Sequence, residues 1–319
     1  MKKTLVLLVG LLAFSLFAQA PKPAEESAAK TIRVLAIGNS WCWSLVRYFK
    51  QVAESTGEYK LELEFVVSGG WTFQRHWKEY EKYLADPSFK SYQYGLLSPP
   101  EEKRYSFVDK LEMKKWDYVV LTQCFQHLAR YEDCQPYLNQ LIGVIRKHAP
   151  TAEILLQQTW SFNINDESFA NGASRFAAQT AMYENTVSMI DRLAEETHLR
   201  VIPTGYVVER FRQGKEMPLL DIKALQEIRP KSAVPENPDL VGYFLWYKLG
   251  TPQEHWLADT IHLNNRGEYM QACLWYAMLF EENPEEVDYV PEGIDAQVGK
   301  ELRTLVKEGL AQYLQEKKQ

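Results

Sequence analysis

The chain has 319 residues, 46% of them hydrophobic, and a formal net charge of −6. A mildly acidic chain without basic runs is a poor match for nucleic acid or for an anionic membrane surface, so neither is expected as a partner. The length suits one large core with additions, or two small domains.

The chain opens on a positive pair, Lys2-Lys3, then an apolar run from Leu5 to Phe17, then Ala18-Gln19-Ala20. That order is a signal peptide with a small-residue cleavage site, so residues 1–20 are expected to be removed on export. The apolar run is short for a retained span, and no later stretch is long and apolar enough for one. The expectation is a secreted or periplasmic bacterial protein without a membrane span after cleavage. Residues 21–30 (PKPAEESAAK) read as a tether, and residues 31–319 as a single domain.

Strands are expected at Ile32–Gly38, Leu61–Val67, Tyr118–Gln123, Glu153–Gln158 and Arg200–Pro203. Several are apolar throughout, the pattern of strands covered on both faces. Helical spacing lies between them. Leu45, Val46, Phe49, Val52 and Ala53 make one apolar face, closed by Ser55-Thr56-Gly57, and Leu138, Leu141, Ile142 and Ile145 make another. A third helix spans about 174–197, with Phe176, Tyr183, Val187, Ile190 and Leu193 inward. A fourth starts near Asn265 and carries Tyr269, Ala272, Cys273 and Tyr276. Strands alternating with helices predict an α/β fold, a three-layer, flavodoxin-like, doubly wound parallel sheet of about five strands. Segments near 74–115 and 206–257 are long for simple connections and are read as insertions that wall a cleft.

Cys42, Cys124, Cys134 and Cys273 have no metal-ligand spacing. Export would permit disulfides, with Cys124–Cys134 the first choice; buried thiols are an equal alternative.

In such sheets ligands sit at the carboxyl ends of the strands. The first strand ends in Gly38-Asn39-Ser40, the second in Ser68-Gly69-Gly70-Trp71-Thr72, the third in Thr122-Gln123. Asp259-Thr260-Ile261-His262 precedes the last apolar helix, in what reads as a loop. The three-residue spacing lets the Asp259 carboxylate reach the imidazole of His262 and fix its tautomer. A serine hydroxyl needs such a base to act as a nucleophile. The oxyanion would then need fixed donors: the Ser40 N–H, the Gly70 N–H and the Gln123 amide. Taken alone, Ser40 fits an ordinary helix cap equally well. Gly69 is a register alternative to Gly70, and Gln126 competes with Gln123.

These four blocks resemble those of the SGNH (GDSL-type) hydrolases, in the same order over about residues 32–280. "AIGNSW", "SGGWTFQRHW", "WDYVVLTQ" and "ADTIHLNNRGEYMQACLWYAMLF" are similar to a secreted bacterial branch with G-N-S and D-x-x-H-L-N blocks. The resemblance implies a Ser40–His262–Asp259 triad and an oxyanion hole of Ser40, Gly70 and Gln123, without metal or organic cofactor. Two residues depart from the pattern: Asn39 stands for the usual Asp, and Gln123 for the usual Asn.

Trp41, Trp43, Trp71, Trp160 and Trp256 fall beside strand ends or site blocks and are read as cleft aromatics suited to sugar rings; Trp116 and Trp275 are read as core. Asn39, His76 and Gln126 complete the substrate-side candidates, although His76, like His127 and His255, lacks a partner pattern. The expected activity is hydrolysis of an acyl ester, acetyl first, on carbohydrate or another small ester. The alternatives are a lipid or aryl esterase and a non-catalytic glycan-binding protein on this fold.

Overall fold

The structure is a computed structural model that describes residues 29–93, 104–124, 130–170, 174–220, 237–247 and 255–318, with the backbone alone for 93, 244–247 and 255–258. The expected signal peptide, most of the tether, the Ser98-Pro99-Pro100 turn, Gln126 and His127 lie outside these residues, as do the side chains of His255 and Trp256.

Five parallel strands make the centre: β1 (Lys30–Gly38), β2 (Tyr59–Val67), β5 (Tyr118–Leu121), β6 (Glu153–Gln157) and β7 (Arg200–Ile202), in the order β2-β1-β5-β6-β7. Two short antiparallel pairs are added. They are β3 (Tyr92–Gln93) with β4 (Arg104–Tyr105), and β8 (Val241–Tyr247) with β9 (His255–Leu263). The α-helices among the described residues are α1 (Phe49–Glu54), α2 (Phe73–Ala85), α3 (Phe107–Glu112), α4 (Tyr137–His148), α5 (Arg175–Thr197), α6 (Thr204–Arg212), α7 (Asn265–Leu279) and α8 (Ala296–Glu316).

The alternation along β1 explains the layers. Val34 and Ala36 join a core with α1 and α7, whereas Leu35 and Ile37 join a second core with α2, α3 and α4. With both faces covered, the strand has no polar face to present, so its sequence is apolar throughout. The expected sheet is the observed one, with strand ends moved by one or two residues. β1 starts at Lys30, within the segment read as a tether.

Two expectations are corrected, and a third is extended. The first helix is two pieces, a 3₁₀ turn (Ser40–Leu45) and then α1, and Val46 between them faces solvent at 44% exposure. The tighter turn shifts the phase of the apolar positions. On α5, Phe176 is 70% exposed, and Gln179 and Met182 turn inward beside Ile190 and Leu193. α7 is buried from Gly267 to Leu279 on all its faces, because α8 packs over the side away from the sheet. The insertion at 74–115 holds most of α2, then β3, β4 and α3; that at 206–257 holds most of α6, all of β8 and the start of β9.

Candidate active site

The corner after β1 is built by close packing. A Cβ on Gly38 would lie 2.7 Å from the Thr122 carbonyl oxygen and 2.9 Å from Thr122 Cβ, so only glycine lets the ends of β1 and β5 meet there. Asn39 follows, fully buried. Its Oδ1 accepts from Trp41 N at 3.1 Å, and its Nδ2 donates to the Trp71 carbonyl at 3.2 Å. The capping duty that Ser40 could have taken is therefore discharged by Asn39, which also ties the corner to the loop after β2. Asn39 is thus a structural residue and not the substrate contact anticipated for it.

The Ser40 hydroxyl turns instead to β9. Its Oγ lies 2.9 Å from His262 Nε2, and His262 Nδ1 lies 2.7 Å from Asp259 Oδ2. A carboxylate only accepts, so Nδ1 carries the proton and Nε2 is left to accept from Ser40. Asp259 Oδ1 accepts from the backbone N–H groups of Ile261 and His262 at 2.8 and 2.9 Å, which locks the carboxylate against the turn. Burial raises the Asp259 carboxyl pKa, but the hydrogen bonds and charge of His262 outweigh it, and the group sits below the ordinary aspartate value. Beside His262, the buried Glu268 is held above its ordinary value by burial, with Arg47 opposing from 3.3 Å.

The Asp259–His262 block lies within β9, where a loop was expected. A regular strand would send residues three apart to opposite faces. Here Val241 pairs with Leu263 but Tyr243 pairs with Asp259, so β9 bulges between these partners. The bulge turns His262 back over Asp259. Gly242, at φ 101°, lies opposite, and a Cβ there would be 3.1 Å from the Asp259 carbonyl.

Both ends of the Gln123 amide are engaged by the protein itself. Its Oε1 accepts from the N–H groups of Phe73 and Cys124, both at 3.0 Å, and its Nε2 donates to the Asp133 carbonyl at 3.1 Å and to Cys134 Sγ at 3.6 Å. Two backbone donors fix which end of the amide is oxygen, and the opposite end is engaged as well. The oxyanion role expected of Gln123 is corrected to that of a brace between three loops. Gly70 is exposed at φ 69°, a left-handed conformation that glycine adopts freely. The N–H groups of Gly70 and Ser40 have no hydrogen bond to the described residues.

The aromatic rim is smaller than expected. Trp41 is buried and stacks on the fully buried Trp160, centroids 4.7 Å apart, and Trp160 Nε1 donates to the Ile261 carbonyl at 2.8 Å. Both are supports beneath the site. Trp43 is 38% exposed and lies beside Gly69, and Trp71 is half-buried against His76 and Tyr92. His76 itself is fully buried, its Nε2 2.9 Å from the Gly38 carbonyl and its Nδ1 2.8 Å from the Tyr92 hydroxyl, so it cannot touch substrate. Trp116 and Trp275 are core residues, as expected. All four cysteines are buried thiols; Cys134 meets Gln123, and the anticipated Cys124–Cys134 disulfide is not formed.

Sequence reasoning missed the residues that carry the bulge. Asn163 N donates to the Thr260 carbonyl at 2.8 Å, and Asp166 Oδ2 accepts from Thr260 Oγ1 at 2.5 Å. The available signal was the polar spacing of Ser161, Asn163, Asn165 and Asp166 just past a strand end, where loop polarity is unremarkable.

No protein-family model and no curated protein matches the chain. Among solved structures, a DUF4886 family protein from Bacteroides uniformis is 22% identical over 88% of this chain and 95% of that one, with a TM-score of 0.64. A putative SGNH hydrolase from Slackia heliotrinireducens is 14% identical over 77% and 98%, at 0.41. An acetyl xylan esterase is 13% identical over 77% and 99%, also at 0.41. At these identities the likeness is one of fold, and it rests on the first of the three. The chain has the expected α/β fold, a five-stranded parallel sheet between helical layers, and shares it with the DUF4886 family protein.

Proposed function

We propose that this protein is an exported serine esterase that removes acyl groups, acetyl first, from carbohydrate. The observation that carries the reading is the chain of contacts Ser40 Oγ–His262 Nε2 at 2.9 Å and His262 Nδ1–Asp259 Oδ2 at 2.7 Å. Such a constellation activates a hydroxyl that is otherwise a weak nucleophile. Ser40 Oγ attacks the ester carbonyl carbon while its proton passes to His262 Nε2. The Ser40 and Gly70 N–H groups stabilise the oxyanion. Collapse of the tetrahedral adduct expels the sugar oxygen, which takes the proton from His262 and leaves acyl-Ser40. Water, deprotonated by His262, then attacks the acyl carbon; collapse of this adduct breaks the bond to Ser40 Oγ, which takes the proton back from His262, and releases the acid. Gln123 has no part in these steps.

The carbohydrate reading is supported by Trp43, whose exposed ring on the 3₁₀ turn after Ser40 offers a flat apolar face to the C–H side of a sugar. Export is supported by the signal-peptide pattern of residues 1–20. The test is acetate release from a panel of acetylated glycans, alongside p-nitrophenyl esters of increasing acyl length, by wild type and Ser40→Ala. Acetate from a glycan in the wild type alone supports the proposal. A clear preference for long acyl chains points to a lipid esterase. Glycan binding without cleavage of any ester points to a binding protein.

A further inference from the structure

Arg212, the last residue of α6, is a buried cation remote in sequence from every site motif. Its guanidinium meets Asp239, which is 1% exposed, with Nη2–Oδ2 at 2.8 Å and Nε–Oδ1 at 3.1 Å. The same group donates from Nη1 to Ser161 Oγ at 2.5 Å and from Nη2 to the carbonyls of Ser161 and Phe162, both at 3.2 Å. Glu209 Oε2, at 3.4 Å, is a second carboxylate facing it.

Each segment held by this fork touches the Asp259–His262 bulge. The segment clamped at Ser161 and Phe162 continues into Asn163, whose N–H holds the Thr260 carbonyl, and it follows Trp160, whose indole holds the Ile261 carbonyl. Asp239 Oδ1 accepts from Leu240 N at 2.7 Å, and the Leu240 carbonyl accepts from Asn264 N at 2.9 Å, just past the bulge. Asn264 Nδ2 returns to the Asp239 carbonyl at 2.7 Å, and Asn163 Nδ2 reaches the Val241 carbonyl at 2.8 Å. The bulge is thus pinned on its outer side by residues 160–163 and at its base by residues 239–241, and the Arg212 guanidinium holds these two pieces together.

A buried ion pair is poor value as a stabiliser, since a well-packed apolar pair of similar volume does as well or better. Its distinctive property is directional: a planar fork with fixed donors sets the distance and angle between the segments that it joins. We propose that Arg212, through Asp239, is a positioning residue that fixes the register of the β9 bulge and so holds His262 over Ser40. The inference rests on the reading of Ser40, His262 and Asp259 as a catalytic triad.

The test uses the full chain and p-nitrophenyl acetate, comparing wild type with Arg212→Met, Arg212→Lys and the charge-free pair Arg212→Met/Asp239→Leu. The low-field proton NMR resonance of the His262 Nδ1–H, assigned by its loss in His262→Gln, is recorded on each. Folded Arg212→Met and the double variant are expected to lose about 100-fold in kcat, the scale of a misplacement of about 1 Å, with KM changed less than about threefold. Their His262 resonance is expected to broaden or vanish. Arg212→Lys keeps the charge opposite Asp239 but not the fork, and is expected to recover part of kcat. A folded double variant with kcat within about threefold of wild type and an intact resonance overturns the proposal. Should Arg212→Met and the double variant fail to fold, Arg212→Lys decides: wild-type kcat and resonance in that protein also overturn it. If wild type cleaves no ester in a Ser40-dependent way, the triad reading fails, and the resonance alone then decides the positioning.

Discussion

His76 offers a quantitative test of how the corner at Gly38-Asn39-Ser40 is built. Its ring is fully buried between the Gly38 carbonyl and the Tyr92 hydroxyl. A carbonyl can only accept, so Nε2 carries the proton, and Nδ1 of the neutral ring accepts from Tyr92. Burial pushes this imidazole down to about 4 from 6.5, with the bond to Gly38 opposing only in part. The unfolded chain therefore takes up a proton near pH 6.5 that the folded protein refuses until about pH 4. Stability from His76 is complete above pH 6.5, falls as the pH drops through that window, and levels off below pH 4. The fall from 6.5 to about 4 corresponds to about 3 kcal/mol over the whole window, of which about 2.5 kcal/mol is lost by pH 4.5. Carboxylates titrate in the same range, so the measurement is a difference: urea unfolding of wild type and His76→Gln at pH 8 and pH 4.5. Gln presents a donor and an acceptor at similar reach but does not titrate. Wild type should lose about 2–3 kcal/mol more than the variant on acidification. A difference that stays within about 0.5 kcal/mol would mean that the ring is either hydrated or already charged, and would refute the account of the corner.

The other expectations concern residues around the same corner. Gln123→Leu strands the N–H groups of Phe73 and Cys124 and should cost about 2–4 kcal/mol by chemical denaturation, while kcat of the folded fraction falls less than about tenfold; a loss near 1000-fold would restore Gln123 to the oxyanion hole. Gly38→Ala sets a methyl 2.7 Å from the Thr122 carbonyl and should lower stability by more than about 2 kcal/mol, visible as a drop in Tm. Asp259→Asn keeps the shape of the site but not the tautomer, and should reduce kcat on p-nitrophenyl acetate by about 10³–10⁴-fold with little change in KM.

The sheet was legible because β1, β5 and β6 are short apolar runs bounded by polar residues, and burial on both faces leaves no other reading for them. The site was legible in its parts: strand ends place Gly38-Asn39-Ser40 and Ser68-Gly69-Gly70, and a three-residue spacing links Asp259 to His262. What the sequence concealed are properties of the packing. That Asp259 and His262 ride on a strand depends on β8, whose pairing across a bulge is not a local signal. That Gln123 faces the loop around Asp133 depends on a backbone donor at Phe73, distant in the chain, as well as on its neighbour Cys124. Trp41 and Trp160 sit beside site motifs but stack on each other under them, because a ring next to a strand end can point down as readily as out. Arg212 and Asp239 belong to no motif, and only the fold brings them together.

The central claim, that Ser40 is a nucleophile primed by His262, is tested most directly by covalent trapping. Wild type, Ser40→Ala and His262→Ala are each treated with a fluorophosphonate, and the adduct is located by peptide mass spectrometry. The account predicts one stoichiometric adduct on Ser40 in the wild type, none in Ser40→Ala, and labelling slowed by at least about 100-fold in His262→Ala. An unlabelled wild type, or an adduct on a serine other than Ser40, would contradict it.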